Sequence, residues 1–217
     1  MAEIKIKNAT KSIKGHTVLD NITLTLESPN VIGFKGINGS GKTMLMRLIC
    51  GLISPTTGTV LIDGKLLGKD ISFPQSLGLL LENPAFIDDY SAFDNLKLLA
   101  TIKGKATDEK ILDSIERVGL SSAGKKKYKK YSLGMKQRLG IAAAIMEAPD
   151  IIILDEPTNS LDDAGVELVK DIVTEEKNRG ALIIVSCHDK SVLEFLSDEI
   201  YTITDGRITD HIVMKKE

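Results

Sequence analysis

The period of the apolar positions changes along the chain, and each change marks an element. "EIKIK" and "NITLTL" alternate apolar and polar residues, placing Ile22, Leu24 and Leu26 on one face, as in half-buried β-strands. "VIGFKG" is a short apolar run ending in glycine. "KTMLMRLICGLI" then switches to helical spacing, with Ser54-Pro55 as its expected stop. "TVLIDGKLL" reads as a hairpin turning at Asp63-Gly64, and "LGLLL" as a further short buried strand.

From about Pro84 to Met146 the pattern is helical. Ser91, with Asp94 three residues on, has the spacing of a capping box ahead of "NLKLLATIKG". Thr107 can cap a helix that carries Ile111, Leu112, Ile115 and Val118 and ends at Gly119. "KKKYKK" (125–130) is expected to be a solvated face, with anionic lipid headgroups as the next choice. In "YSLGMKQRLGIA" (131–142), a serine and a glycine sit just ahead of a run that reads as another helix start, and that helix must stop before Pro149. Beyond it, "IIILD" and "ALIIVS" are unbroken apolar runs, as strands buried on both faces should be. The helix "VELVKDIVTEEKNRG" separates them, and "EIYTITDGRITD" closes as a hairpin at Asp205-Gly206. This order predicts an α/β fold whose parallel-sheet core is interrupted by a helical lobe.

Composition adds limits. A chain of 217 residues fits one large domain, or one domain with a lobe inserted. With 42% hydrophobic and 27% charged residues it is an ordinary globular protein, and a net charge of −2 gives no reason to expect nucleic acid. Cys50 and Cys187 form no C-x-x-C pair and are read as buried thiols. The N-terminus is no signal peptide, and no apolar run approaches the ~20 residues of a membrane span. A cytoplasmic protein is expected, any membrane role coming through a partner.

The candidate chemistry begins at "GINGSGKT", Gly36–Thr43, which satisfies G-x-x-x-x-G-K-[ST] between a strand and a helix. Gly36, Gly39 and Gly41 allow the backbone to turn its N–H groups toward phosphate oxygens, and the next helix adds its positive end. Asn38 and Ser40 belong to the same nucleotide-binding loop. Lys42 suits the β- and γ-phosphates of ATP, and Thr43 suits Mg²⁺. Asp155 ends a buried strand and suits a magnesium ligand, while Glu156 beside it is the candidate general base. His188 follows the second buried strand, expected to lie next to the first, and reads as a sensor of the γ-phosphate.

Together these residues resemble the nucleotide-binding subunit of ABC transporters, over nearly the whole chain. Gly36–Thr43 matches Walker A, "IIILDEP" matches Walker B with its following glutamate, and "NSLD" resembles the D-loop that ends in Asp162. His188 matches the switch histidine, and "YSLGMKQR" matches the signature, usually LSGGQ with a basic tail. The resemblance implies a P-loop NTPase (RecA-like) core with an N-terminal antiparallel β subdomain. It implies one domain, with core parts 1–83 and 147–217 and a helical lobe at about 84–146. It further implies that Ser132 and Gly134 contact the γ-phosphate held by a second subunit, so that two chains close head-to-tail on two ATP. A separate membrane permease is the implied partner, and the location is the inner face of the membrane.

The family pattern is broken at three points. Leu133 and Met135 replace glycine and glutamine in the signature. Glu82 in "LLLENPAF" stands where a glutamine is usual, and a glutamate there can still reach Mg²⁺ or water while adding negative charge. Ile13 lies about where an adenine-stacking aromatic belongs, which predicts weak base discrimination. "ENPAF" with "SLGMKQR" is most similar to the subfamily that exports peptide antibiotics or bacteriocins, including bacitracin-type resistance transporters. Phe86, Ile87, Tyr90 and Phe93 either pack the lobe or help form the groove for the permease. Two rival readings remain. A related ATPase acting without a permease, in DNA repair or translation, usually carries coiled-coil or zinc insertions. A P-loop GTPase or small-molecule kinase would leave the signature unexplained, and "TNSLDD" does not match N-K-x-D.

Overall fold

The computed structural model describes residues 1–104 and 106–214. Along the chain run β1 (Glu3–Ile13), β2 (His16–Glu27), β3 (Val31–Lys35), α1 (Lys42–Ile49), β4 (Thr57–Ile62), β5 (Lys65–Leu66) and β6 (Leu77–Leu80). Then come α2 (Ala92–Lys103), α3 (Asp108–Arg117), α4 (Leu133–Ile145), β7 (Ile151–Asp155) and α5 (Asp163–Asn178). The remainder is β8 (Leu182–Ser186), α6 (Lys190–Leu196), β9 (Glu199–Thr204) and β10 (Arg207–Val213).

Two sheets form. One is antiparallel, in the order β2-β1-β4-β5. The other runs β10-β9-β3-β8-β7-β6, parallel from β9 to β6 with β10 antiparallel at its edge. The unbroken apolar runs explain this second sheet. Ile152 and Leu154 of β7, with Ile183 and Val185 of β8, face a core shared with α2, α3, α4 and α5. Ile151, Ile153, Leu182 and Ile184 face the opposite core, under α1 and the antiparallel sheet. Both faces are covered, so neither strand can carry polar alternation.

Helix ends follow their caps. The Ser91–Asp94 capping box starts α2, Thr107 caps α3, Ser132 caps α4 and Asp162 caps α5. Three elements depart from the apolar pattern. α1 ends at Ile49, and Gly51 then adopts φ +80°, so the stop comes before Ser54-Pro55. Leu112, expected on the buried face of α3, is exposed while Ile111 and Ile115 are buried. α6 is a seven-residue helix that the pattern left unassigned. The Asp189 carboxylate starts it, accepting from the backbone N–H of Ser191 and Val192.

The position of α4 matters most for the site. It lies flat on β6 because Gly78 has no side chain: a Cβ there would sit 1.8 Å from the Ala144 carbonyl oxygen. This close contact sets where α4 lies against the sheet. The C-terminal ends of β3, β8 and β7 lie side by side, with Asp155 in register with Ser186. In a parallel α/β sheet this is where ligands bind.

Candidate nucleotide site

The loop from Gly36 to Gly41 leaves β3 and enters α1. Gly41 holds φ +112° at the start of the helix, a conformation few side chains tolerate. Gly36 is required for space instead: a Cβ would meet the Ile203 carbonyl and the Ser40 hydroxyl, each at 2.4 Å. Lys42 is buried, and its ammonium donates to the loop's own carbonyls, Gly36 at 2.7 Å and Ile37 at 3.2 Å. Among the described residues, the buried Ser40 hydroxyl has no hydrogen-bond partner.

Asp155 is gripped from two sides. Thr43 Oγ1 donates to Asp155 Oδ2 at 2.6 Å, and Ser186 Oγ donates to Asp155 Oδ1 at 2.5 Å. Ser186, the last residue of "ALIIVS", also accepts from the Glu156 backbone N–H at 3.1 Å. Only its register opposite Asp155, which no local pattern in the sequence encodes, singles it out.

Glu156 has φ +52° and precedes Pro157, where extended backbone is the norm. Holding a non-glycine residue in this region costs about 1–3 kcal/mol, and the surroundings must impose it. Its Oε2 accepts from the His188 backbone N–H at 2.8 Å, while His188 Nε2 lies 3.6 Å from Oε1. Among the described residues, Oε1 is buried and has no hydrogen-bond partner. Burial pushes the Glu156 carboxyl above its ordinary range; His188 and the Lys42 charge pull it back, and Asp155 adds a smaller upward push. Cys187 beside it is buried, its thiol pushed up to about 12 by desolvation, so it is no nucleophile.

Of these groups, Gly41, Lys42, Thr43, Asp155, Glu156 and His188 line one cavity of about 530 Å³, together with Asn38, Gly39, Glu82, Gln137, Thr17, Val18 and Asp205. Glu82 lines it with its carboxylate on Arg47, in a largely exposed ion pair. Ile13 is not among the lining residues. It sits at the end of β1 opposite His16, and the turn after it brings Thr17 and Val18 to the cavity instead.

Ser132 and Gly134 lie elsewhere. They line a separate groove of about 420 Å³ with Leu133, Arg138, Ser160, Leu161 and Asp162, and the two cavities share no lining residue. Ser132 Oγ accepts from the Met135 N–H at 3.2 Å, Asp162 accepts from the Gly165 N–H at 2.9 Å, and Leu133 is exposed. Gly134 is dictated by close approach, since a Cβ would sit 2.8 Å from the Ser160 carbonyl oxygen.

The lysine run is only partly a free solvated face. Tyr128 is buried against Phe86, Lys127 and Lys129 pair with Asp89, and Lys136 lies over the Tyr128 ring. Phe86 and Phe93 pack on the lobe core, whereas Ile87 and Tyr90 are exposed.

The ABC transporter family model matches residues 19–159. The chain belongs to the ABC transporter family. An uncharacterized ABC transporter ATP-binding protein of Bacillus subtilis (strain 168) is 51% identical over 99% of both chains. A lantibiotic transport ATP-binding protein of Streptococcus pyogenes is 36% identical over 99% of this chain and 90% of its own. Among solved structures, a dimeric bacterial ABC transporter cassette superposes with a TM-score of 0.89 at 26% identity, over 99% of this chain and 100% of the other. This ABC protein is therefore an ATP-binding ATPase of the P-loop type, with ATP and Mg²⁺ as its ligands. The donor set fits them. A hydroxyl and a carboxylate meet at 2.6 Å on the cavity wall, and the partnerless Ser40 hydroxyl belongs to the loop beside a buried ammonium.

Proposed function

We propose that this chain is the ATP-hydrolysing subunit of a transporter, closing on a second ATP-binding subunit and driving a separate membrane permease. The observation that carries this reading is the division of the anion-binding groups into two cavities with no residue in common. Ser132 opens α4 with a hydroxyl at a positive helix end, too distinct from the P-loop cavity to serve its own nucleotide. It suits a phosphate presented by another chain. The similarity to a dimeric cassette supports the same arrangement.

In this reading the loop Gly36–Gly41 and Lys42 hold the phosphates, and Thr43 and Asp155 hold Mg²⁺, with Glu82 as a further oxygen donor. Bound Mg-ATP supplies an electrophilic γ-phosphoryl group whose charge the metal neutralises. Glu156, on the cavity wall, accepts the proton of the attacking water. His188 steadies that carboxylate and reads the γ-phosphate. Ser132 and Gly134 complete the partner's site, and Asp162 holds the loop between the two. Because ATP bridges two chains, it favours the dimer by mass action, and hydrolysis releases it.

The lantibiotic transport relative supports transport of a peptide antibiotic or similar amphiphile, which in this reading is export. No helix among the described residues is long and apolar enough to cross a membrane, so the reading places the chain on the inner face through its permease. Exposed Ile87 and Tyr90 are the proposed contact for that permease. The test is Glu156→Gln with ATP. The variant should bind ATP, fail to hydrolyse it and accumulate as a dimer. A variant that binds ATP yet stays monomeric at high concentration refutes the shared site. Copurification with a multi-span membrane protein separates the transporter reading from a permease-free ATPase.

A further inference from the structure

We infer that Gln137 is a positioning residue for hydrolysis, tying the helix that carries Ser132 to the peptide of Glu156. This rests on the reading of Glu156 as the base. Gln137 lies in the second turn of α4, is 6% exposed, and lines the nucleotide cavity. Its Nε2 donates to the Glu156 carbonyl oxygen at 2.9 Å. A carbonyl can only accept, so the amide nitrogen must be the end that faces it.

Glu156 is held at both of its backbone ends, by different parts of the fold. On its N-terminal side, the N–H donates to Ser186 at the end of β8. On its C-terminal side, the carbonyl accepts from the Asn159 N–H at 3.2 Å and from Gln137. The next residue is proline, and the backbone sits at φ +52°, so this peptide does not hold its geometry by local preference. The bond from Gln137 is the contribution from the helical lobe. Ser132 caps the same helix at its tip, in the groove proposed to meet the partner's nucleotide. One rigid helix therefore spans from the proposed trans-phosphate contact to the backbone of the base. A shift of α4 on docking reaches the Glu156 peptide through the Gln137 hydrogen bond, alongside the packing of Gly134 on the Ser160 carbonyl. Gln137 thus makes the orientation of Glu156 sensitive to whether the partner site is engaged.

The experiment uses the full chain. Gln137→Met keeps the length and removes the donor; Gln137→Glu keeps the shape and turns an oxygen toward the carbonyl. Both are compared with Glu156→Gln for thermal melting, ATP binding, and steady-state hydrolysis of Mg-ATP. The expected result is a fall in kcat of about tenfold for Gln137→Met and more for Gln137→Glu, with KM for ATP within about twofold of the parent, as misplacing a reacting group predicts. A kcat at the parent level in Gln137→Met overturns the inference, as does an effect confined to KM. If both variants lose their cooperative melt at the assay temperature, Gln137 is a folding residue and the inference is again overturned. Glu156→Gln keeps the two claims apart. If it hydrolyses ATP at the parent rate, the reading of Glu156 has failed. If it is inactive while Gln137→Met is fully active, only the role of Gln137 has failed.

Discussion

Ser186→Ala probes the brace beneath both carboxylates. The hydroxyl is fully buried, donates to Asp155 Oδ1 at 2.5 Å and accepts from the Glu156 N–H. The Glu156 N–H keeps a second acceptor, the Ser186 carbonyl at 3.2 Å, so the loss falls mainly on Asp155. A hydrogen bond to a charged group contributes about 1.5–3 kcal/mol. For a chain above two hundred residues, each kcal/mol shifts the melting temperature by about 2–4 °C, so a fall of about 3–12 °C is expected. Asp155 keeps Thr43, so the fold survives and hydrolysis can be measured. With one of its two anchors gone, the Asp155 carboxylate is free to swing, and Glu156 loses an acceptor beside it. Misplacement on this scale should lower kcat by about ten- to a hundredfold. The assays are thermal melting without nucleotide and steady-state ATP hydrolysis. A melting temperature within about 1 °C of the parent, with kcat within about twofold, would refute the claim that Ser186 holds the pair.

Burial raises the Glu156 carboxyl in the folded chain, so between the ordinary carboxylate range and the folded value the unfolded chain binds fewer protons, and stability falls as pH rises through that window. Glu156→Gln escapes that loss, and should melt above the parent at alkaline pH and converge with it as pH falls below the ordinary carboxylate range; a variant less stable at every pH contradicts this. Gly134→Ala puts a Cβ 2.8 Å from the Ser160 carbonyl oxygen and should weaken ATP-driven dimerisation by about tenfold or more, with ATP affinity of the monomer unchanged; equal losses in both would show that the two cavities are not independent. Glu82→Gln breaks an exposed ion pair with Arg47 worth about 0–1 kcal/mol, so melting should hardly change, while ATPase activity across a magnesium titration should. Unchanged activity means that Glu82 is a partner of Arg47 alone.

Much of this protein was legible because its chemistry is local. The P-loop needs glycines, a lysine and a threonine in contiguous order between a strand and a helix, and all of that lies in eight letters. The capping residues Ser91 and Thr107 were equally plain, since a cap acts on N–H groups two or three residues away. The strands β7 and β8 were readable from unbroken apolar runs, because a parallel strand is buried on both faces. Where the pattern erred, a short-range rule met a competitor. Proline at 55 marked a stop, but Gly51 had already ended α1; Leu112 fits the helical period, but α3 buries too narrow a stripe to cover it.

The sequence alone determined which residue types could carry phosphate, metal and base chemistry, and in what order. It did not determine which of them meet. Ser186 lies 31 residues from Asp155, and only the register of two parallel strands brings its hydroxyl to the carboxylate. Gln137 lies 19 residues from Glu156, and reaches it because α4 lies on β6 across Gly78. Thr17, Val18 and Asp205, rather than Ile13, line the nucleotide cavity, through the packing of two turns distant in the chain. Tertiary structure also put Ser132 and Gly134 into a different groove from Lys42. The physical reason is common to all four. Composition and periodicity act over a few residues, whereas a site is assembled by strand register and close packing, which no local pattern encodes.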